Sequence, residues 1–129
     1  MTRSHEIFDQ KFVDSQRLVD CARDRGDLSE ILELPGVDID FPDARGRSAL
    51  CWAALHGNSR NVLALLNVGA CTNQADSRGH TPLFFSLWQF AQAPHDEDEA
   101  LKVFNMLLHH GACVNRADDN GHLFMRALF

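Results

Sequence analysis

The groups in this 129-residue chain that could do chemistry are four cysteines and seven histidines. Cys71, Cys113, His80, His109, His110 and His122 are the kind of donors that zinc takes, and Cys51 with His56 would pair a thiol nucleophile with a base. Spacing argues against both. Zinc ligands must converge to about 2.0–2.3 Å of one ion, and the chain has no Cys-x-x-Cys or His-x-x-x-His pair to begin such a cage. Cys51 and His56 stand five positions apart, a separation that does not share a helix face. There is no glycine-rich phosphate loop and no nucleophile elbow. The acids at Asp96 to Glu99 and at Asp118-Asp119 read as a charged loop or a helix start. The sequence therefore predicts no catalytic centre, no metal and no cofactor.

The elements that carry these residues recur. Gly69-Ala70-Cys71-Thr72-Asn73-Gln74-Ala75-Asp76 returns as Gly111-Ala112-Cys113-Val114-Asn115-Arg116-Ala117-Asp118. Asp76-Ser77-Arg78-Gly79-His80-Thr81-Pro82-Leu83 echoes Asp43-Ala44-Arg45-Gly46-Arg47-Ser48-Ala49-Leu50, a displacement of 33. Ser48 and Thr81 are good N-caps, and Pro82 suits a first helical position that needs no N–H. Gly57, Gly69 and Gly111 follow apolar stretches and suit helix ends, while Gly46 and Gly79 suit tight turns. Leu50, Ala53 and Ala54 share one helix face; so do Val62, Leu65 and Leu66, and a third face is expected from Leu101, Phe104, Leu107 and Leu108. Each unit reads turn, helix, helix, loop.

Several weak motifs in register now make a strong one: Gly79-His80-Thr81-Pro82-Leu83, Ala53-Ala54 before His56-Gly57-Asn58, Leu65-Leu66, and Gly69-Ala70 closing on Asn73 and Asp76. The chain resembles the ankyrin repeat family over roughly residues 17 to 129. The resemblance implies an all-α solenoid of helix-turn-helix units, about three and a half repeats in a single domain. Residues 1–16 are expected to be an amino-terminal cap or disordered, with Ile7, Phe8, Phe12 and Val13 available for a short amphipathic helix. A degenerate repeat follows at 17–42, then a full repeat at 43–75. The repeat at 76–117 carries a nine-residue insertion near 89–98, because its period is 42 and not 33, and 118–129 is a partial repeat. An extended first helix broken at Pro94 would accommodate the insertion.

In such stacks the turns project as fingers and the first helices line a concave face. The resemblance thus places partner contacts at Arg45 and Arg78 on the fingers, and at Trp52, Leu55, His56, Phe85, Trp88 and Gln89 on the helices. It also marks a departure. Cys51 and Phe84 stand where a histidine often ties adjacent loops, which puts finger rigidity in question. Asn73 and Asn115 resemble asparagines that intracellular hydroxylases modify, although such residues also hydrogen-bond the turn.

Composition bounds the role. The net charge is −6, and residues 1–42 hold ten of the eighteen acids, which disfavours nucleic acid as a partner. Arg45, Arg47, Arg78 and Arg116 cluster near successive turns, yet Asp43, Asp76, Asp118 and Asp119 lie beside them. No apolar run is long enough to cross a membrane and no signal-peptide core follows Met1, so a cytoplasmic location is expected, with the nucleus or a host cell as alternatives. The cysteines sit at repeat positions and read as reduced thiols. The apolar end, Leu123 to Phe129, lacks the polar cap a solenoid needs. Truncation of a longer array, a folded-back helix and self-association each account for it. The expected function is non-catalytic binding of another protein, one with a basic surface being favoured by the charge. The alternatives are an acidic immunity or inhibitor protein masking a basic toxin or enzyme site, or a fragment of a larger effector or enzyme.

Overall fold

The computed structural model describes the backbone of residues 3–92 and 97–113, and side chains over 10–92 and 98–113. The expectations for Pro94, Asn115, Arg116, His122 and the partial unit 118–129 lie outside the described residues. Six helices and no strand occur among those described. They are α1 (Arg3–Arg23), α2 (Ser29–Leu32), α3 (Ala49–Leu55), α4 (Ser59–Asn67), α5 (Pro82–Gln92) and α6 (Glu97–His109).

Helices α3, α4 and α5 begin where the chain supplies a side-chain acceptor for free backbone N–H groups. Ser48 Oγ accepts from Cys51 N at 3.4 Å, Asn58 Oδ1 from Asn61 N at 3.2 Å and Thr81 Oγ1 from Phe84 N at 3.4 Å. Pro82 is the first residue of α5. Second helices close identically in two repeats. Gly69 and Gly111, at φ +89° and +91°, donate to Leu66 O and Leu108 O, and the alanines after them donate to Leu65 O and Leu107 O. Only glycine takes that φ without strain, so the repeated Gly-Ala is a repeated helix stop.

First helices pack on first helices, α1 on α3 on α5, and second on second, α2 on α4 on α6, giving a two-layer solenoid. Leu50, Ala53 and Ala54 of α3 are buried against Leu18 and Ala22 of α1 and Leu83 and Phe85 of α5 within one continuous core. Val62, Leu65 and Leu66 of α4 join Val103 and Leu107 of α6 in the same core. The alanine pair leaves room for close helix approach.

The structure changes two of the expected faces. Leu101 is 42% exposed, and Ala100, Val103 and Leu107 form the buried stripe of α6. Leu101 lies six positions before Leu107, about 240° away around the helix, whereas 100 and 103 fall at the i−7 and i−4 positions that share its face. At the other end α1 runs unbroken across residue 16, with Phe12 and Val13 exposed and Asp14 and Ser15 buried. The physical reason is the loop after α2. Ser15 Oγ accepts from Asp38 N at 2.8 Å, so the polar side of the helix turns toward backbone that needs a partner. Toward the insertion, α5 has eleven residues where α3 has seven, the extended first helix expected there.

Candidate protein-binding face

The fingers are built on two aspartates one repeat apart. Asp43 Oδ1 accepts from Arg45 N and Arg47 N, both at 2.9 Å, and Asp76 Oδ1 accepts from Arg78 N and His80 N, also at 2.9 Å. Backbone pairs, Asp43 N to Arg47 O and Asp76 N to His80 O, close each turn. The same bonds at a displacement of 33 turn repeated sequence into repeated geometry. Adjacent fingers are also joined. Ser77 N donates to Arg45 O at 2.9 Å, and Arg47 Nε meets Asp76 Oδ2 at 3.4 Å. Gly46 lies at this seam, where a Cβ would come within 2.8 Å of Ser77 N.

Those ties answer the question raised by the missing histidine. Cys51, in its place, is fully buried, with Sγ 3.6 Å from Ser48 Oγ and 3.8 Å from Gln74 O. Burial pushes its thiol pKa up to about 11, which removes the thiolate a nucleophile needs. His56 faces elsewhere, as the i, i+5 spacing requires.

On the first helices the rings form a ladder. Trp52 Nε1 donates to Asp43 Oδ2 at 2.9 Å, and the Arg47 guanidinium lies 4.9 Å from the Trp52 ring and 4.9 Å from the Phe85 ring. Phe84 stacks on His80 at 4.0 Å and on Trp88 at 6.3 Å. Arg45 and Arg78 are exposed on the fingers, and Trp88 is 43% exposed at the far end of the ladder. Trp52, Leu55 and His56 are half-buried. Phe85 corrects the expectation: it is 4% exposed, beneath Arg47 with Phe84 and His80 edge-on to it, and has no surface to offer a partner. Gln89 is half-buried, its Cγ within 3.3 Å of where a Cβ at Gly57 would stand.

The sequence reading missed Arg47, Phe84 and His80 as part of this face. A signal existed. Arg47 and His80 are equivalent positions, as are Trp52 and Phe85, so a cation or imidazole before the helix recurs with an aromatic ring inside it.

His56 links α3 to the end of α1. Its Nε2–H donates to Arg23 O at 2.8 Å, and Nδ1 accepts from Arg25 Nε at 3.3 Å. Only the neutral ring can do both. Burial, opposed by the Arg23 carbonyl and reinforced by Arg25, lowers the His56 pKa from its usual value. A His with a depressed folded-state pKa contributes stability that is present above its unfolded pKa, about 6.5, and lost as pH falls through the folded value. Stability should therefore decline as pH drops below about 6.5, and His56→Gln should flatten that part of the profile. Urea midpoints measured at stepped pH check this; parallel profiles for the two proteins would refute it.

Cys71 and Cys113 are exposed on the loops after α4 and α6, and no group of three or more metal donors occurs among the described residues. Their backbone N–H groups are held one repeat back, Cys71 N by Asp40 Oδ1 at 2.9 Å and Cys113 N by Asn73 Oδ1 at 2.8 Å. Asn73 Nδ2 also donates to Gly111 O at 3.1 Å, so this asparagine bonds the loop of the next repeat.

Comparison with known proteins agrees with this architecture. The Palmitoyltransferase AKR1 of Candida glabrata and that of Saccharomyces cerevisiae are each 49% identical to this chain over 47 residues, 36% of the chain. The match covers 6% of each of those proteins, far less than two thirds of their length. A Calmodulin-binding transcription activator CBT of Oryza sativa subsp. japonica is 48% identical over 40 residues, 31% of the chain and 4% of that protein. A family model described as ankyrin repeats (3 copies) matches residues 18–118. Together with the two-layer stack of capped helix pairs, that match establishes that the chain belongs to the ankyrin repeat family.

Proposed function

We propose that this chain is a non-catalytic module that binds another protein through the first-helix face and the fingers. Ankyrin repeats imply protein–protein interaction. The observation that carries the finer reading is Trp88, an indole 43% exposed yet stacked on Phe84 at 6.3 Å. A large ring held at the surface by its own neighbours adds contact area at small entropic cost, as binding hot spots do. The four free thiols, Cys21, Cys51, Cys71 and Cys113, support a reducing intracellular setting, and no helix among the described residues is long and apolar enough to cross a membrane.

Trp88→Ala should weaken partner binding by about 2 kcal/mol, roughly thirtyfold, with the melting temperature nearly unchanged. Trp52 differs. Its half-buried ring anchors Asp43 and Arg47, so Trp52→Ala should cost about 3 kcal/mol of fold stability in addition to binding. Titration calorimetry beside thermal melts separates the two. Unchanged affinity in Trp88→Ala would refute the assignment of this face.

A further inference from the structure

The finger tips carry a charge asymmetry that the linear sequence hides. Asp43 and Asp76 stand beside Arg45, Arg47 and Arg78 in the chain, and neighbouring opposite charges would ordinarily cancel. In the fold both carboxylates are turned inward. Asp76 is buried, its side chain 2% exposed, and it is occupied by Arg78 N, His80 N and Arg47 Nε. Asp43 directs one oxygen to Arg45 N and Arg47 N and the other to Trp52 Nε1. Arg45 and Arg78 remain exposed, and neither guanidinium has a carboxylate partner among the described residues. Together with Arg47, Asp76 and Ser77 they line a recess of ≈ 320 Å³ opening between the two fingers.

Resting on the binding reading above, and in contrast to the basic partner surface that the net charge suggested, we propose that this recess receives an acidic side chain of the partner, whose flanking apolar residues lie along the ladder toward Trp88. The charge that faces solvent there is positive, because three guanidinium groups meet one inward-turned carboxylate. The backbone of the recess is already tied by Ser77 N to Arg45 O, so the cations are presented on a rigid base. A short acidic segment senses this local field within a Debye length of about 8 Å. A long polyanion would also meet the rest of a chain whose net charge is −6, which is why a protein carboxylate fits better than nucleic acid.

A random peptide library displayed on phage, selected on the full chain, tests the proposal. The expected ligands pair Asp or Glu with a nearby aromatic or large apolar residue. Their affinity should fall about tenfold or more in the double variant Arg45→Glu with Arg78→Glu, fall in Trp88→Ala, and weaken with added salt. Neither arginine side chain holds the fold, so circular dichroism of the double variant should match the parent. Ligands that need Trp88 but ignore both arginines, or that are enriched in Lys and Arg, would overturn the acidic assignment and leave the binding face standing. Absence of any ligand would overturn both. A single-stranded oligonucleotide that displaces the peptides through Arg45 and Arg78 would assign the recess to phosphate and overturn a protein carboxylate.

Discussion

Leu65→Ala should destabilise the protein by about 2–5 kcal/mol, among the largest effects expected of a single truncation in the described core. Leu65 is 0% exposed and sits in α4, between α2 on one side and α6 on the other. Removing its side chain leaves a cavity that neither flanking helix can close without losing its own register. Leu107, also 0% exposed and its equivalent in α6, should show a loss in the same range. Because repeats are stabilised chiefly by their neighbours, the Leu107 variant should also loosen α5 and α6 before the rest. Urea denaturation followed by circular dichroism, with hydrogen exchange to locate the loss, checks both. A midpoint equal to the parent's would show that these leucines are not interface residues.

Asp76→Ala should cost about 3 kcal/mol, an effect out of proportion to a turn residue. Its carboxylate serves Arg78 N, His80 N and Arg47 Nε from a site whose side chain is 2% exposed. Alanine would orphan two backbone donors and leave the Arg47 charge, itself only 19% exposed, without its counter-ion. Arg47 in turn covers Trp52 and Phe85, so the loss should spread from the finger to the ring ladder. Asp76→Asn keeps one oxygen for the turn and loses the charge, and should fall about midway between the parent and alanine. Equilibrium unfolding orders the three proteins. Equal stability for asparagine and alanine would mean that the ion pair, and not the turn, carries the effect.

Much of the fold was legible because it rests on local chemistry that repeats. Ser48, Thr81 and Pro82 announced helix starts, and Gly69 and Gly111 announced helix ends, since each acts through backbone within a few residues of itself. The face of α6 was less legible. Leu101 and Val103 are both apolar, and once Leu107 is set against α4 and α5 the helix period turns Val103 inward and Leu101 outward. Phe12 and Val13 misled for the same reason: the loop at Asp38, 23 residues further along the chain, claimed the polar Ser15 and set the rotation of the helix.

The binding face divided in the same way. Trp88 stood out as an aromatic residue on a first helix and is exposed there, while Phe85, three positions earlier, is covered by a guanidinium from the preceding finger. By itself the sequence determined the repeat, the helix starts at Ser48 and Thr81, the helix stops at Gly69 and Gly111, the turn aspartates and the family's two-helix unit, because those depend on bonds within a unit. Only the tertiary structure decided which rings are open, that Asp43 and Asp76 point inward, and that Arg45 and Arg78 are left facing solvent. Stacking one repeat on the next brings together residues 29 to 33 positions apart, such as Arg47 with Asp76 and His56 with Arg23, and no local pattern states which atoms will meet across that interface.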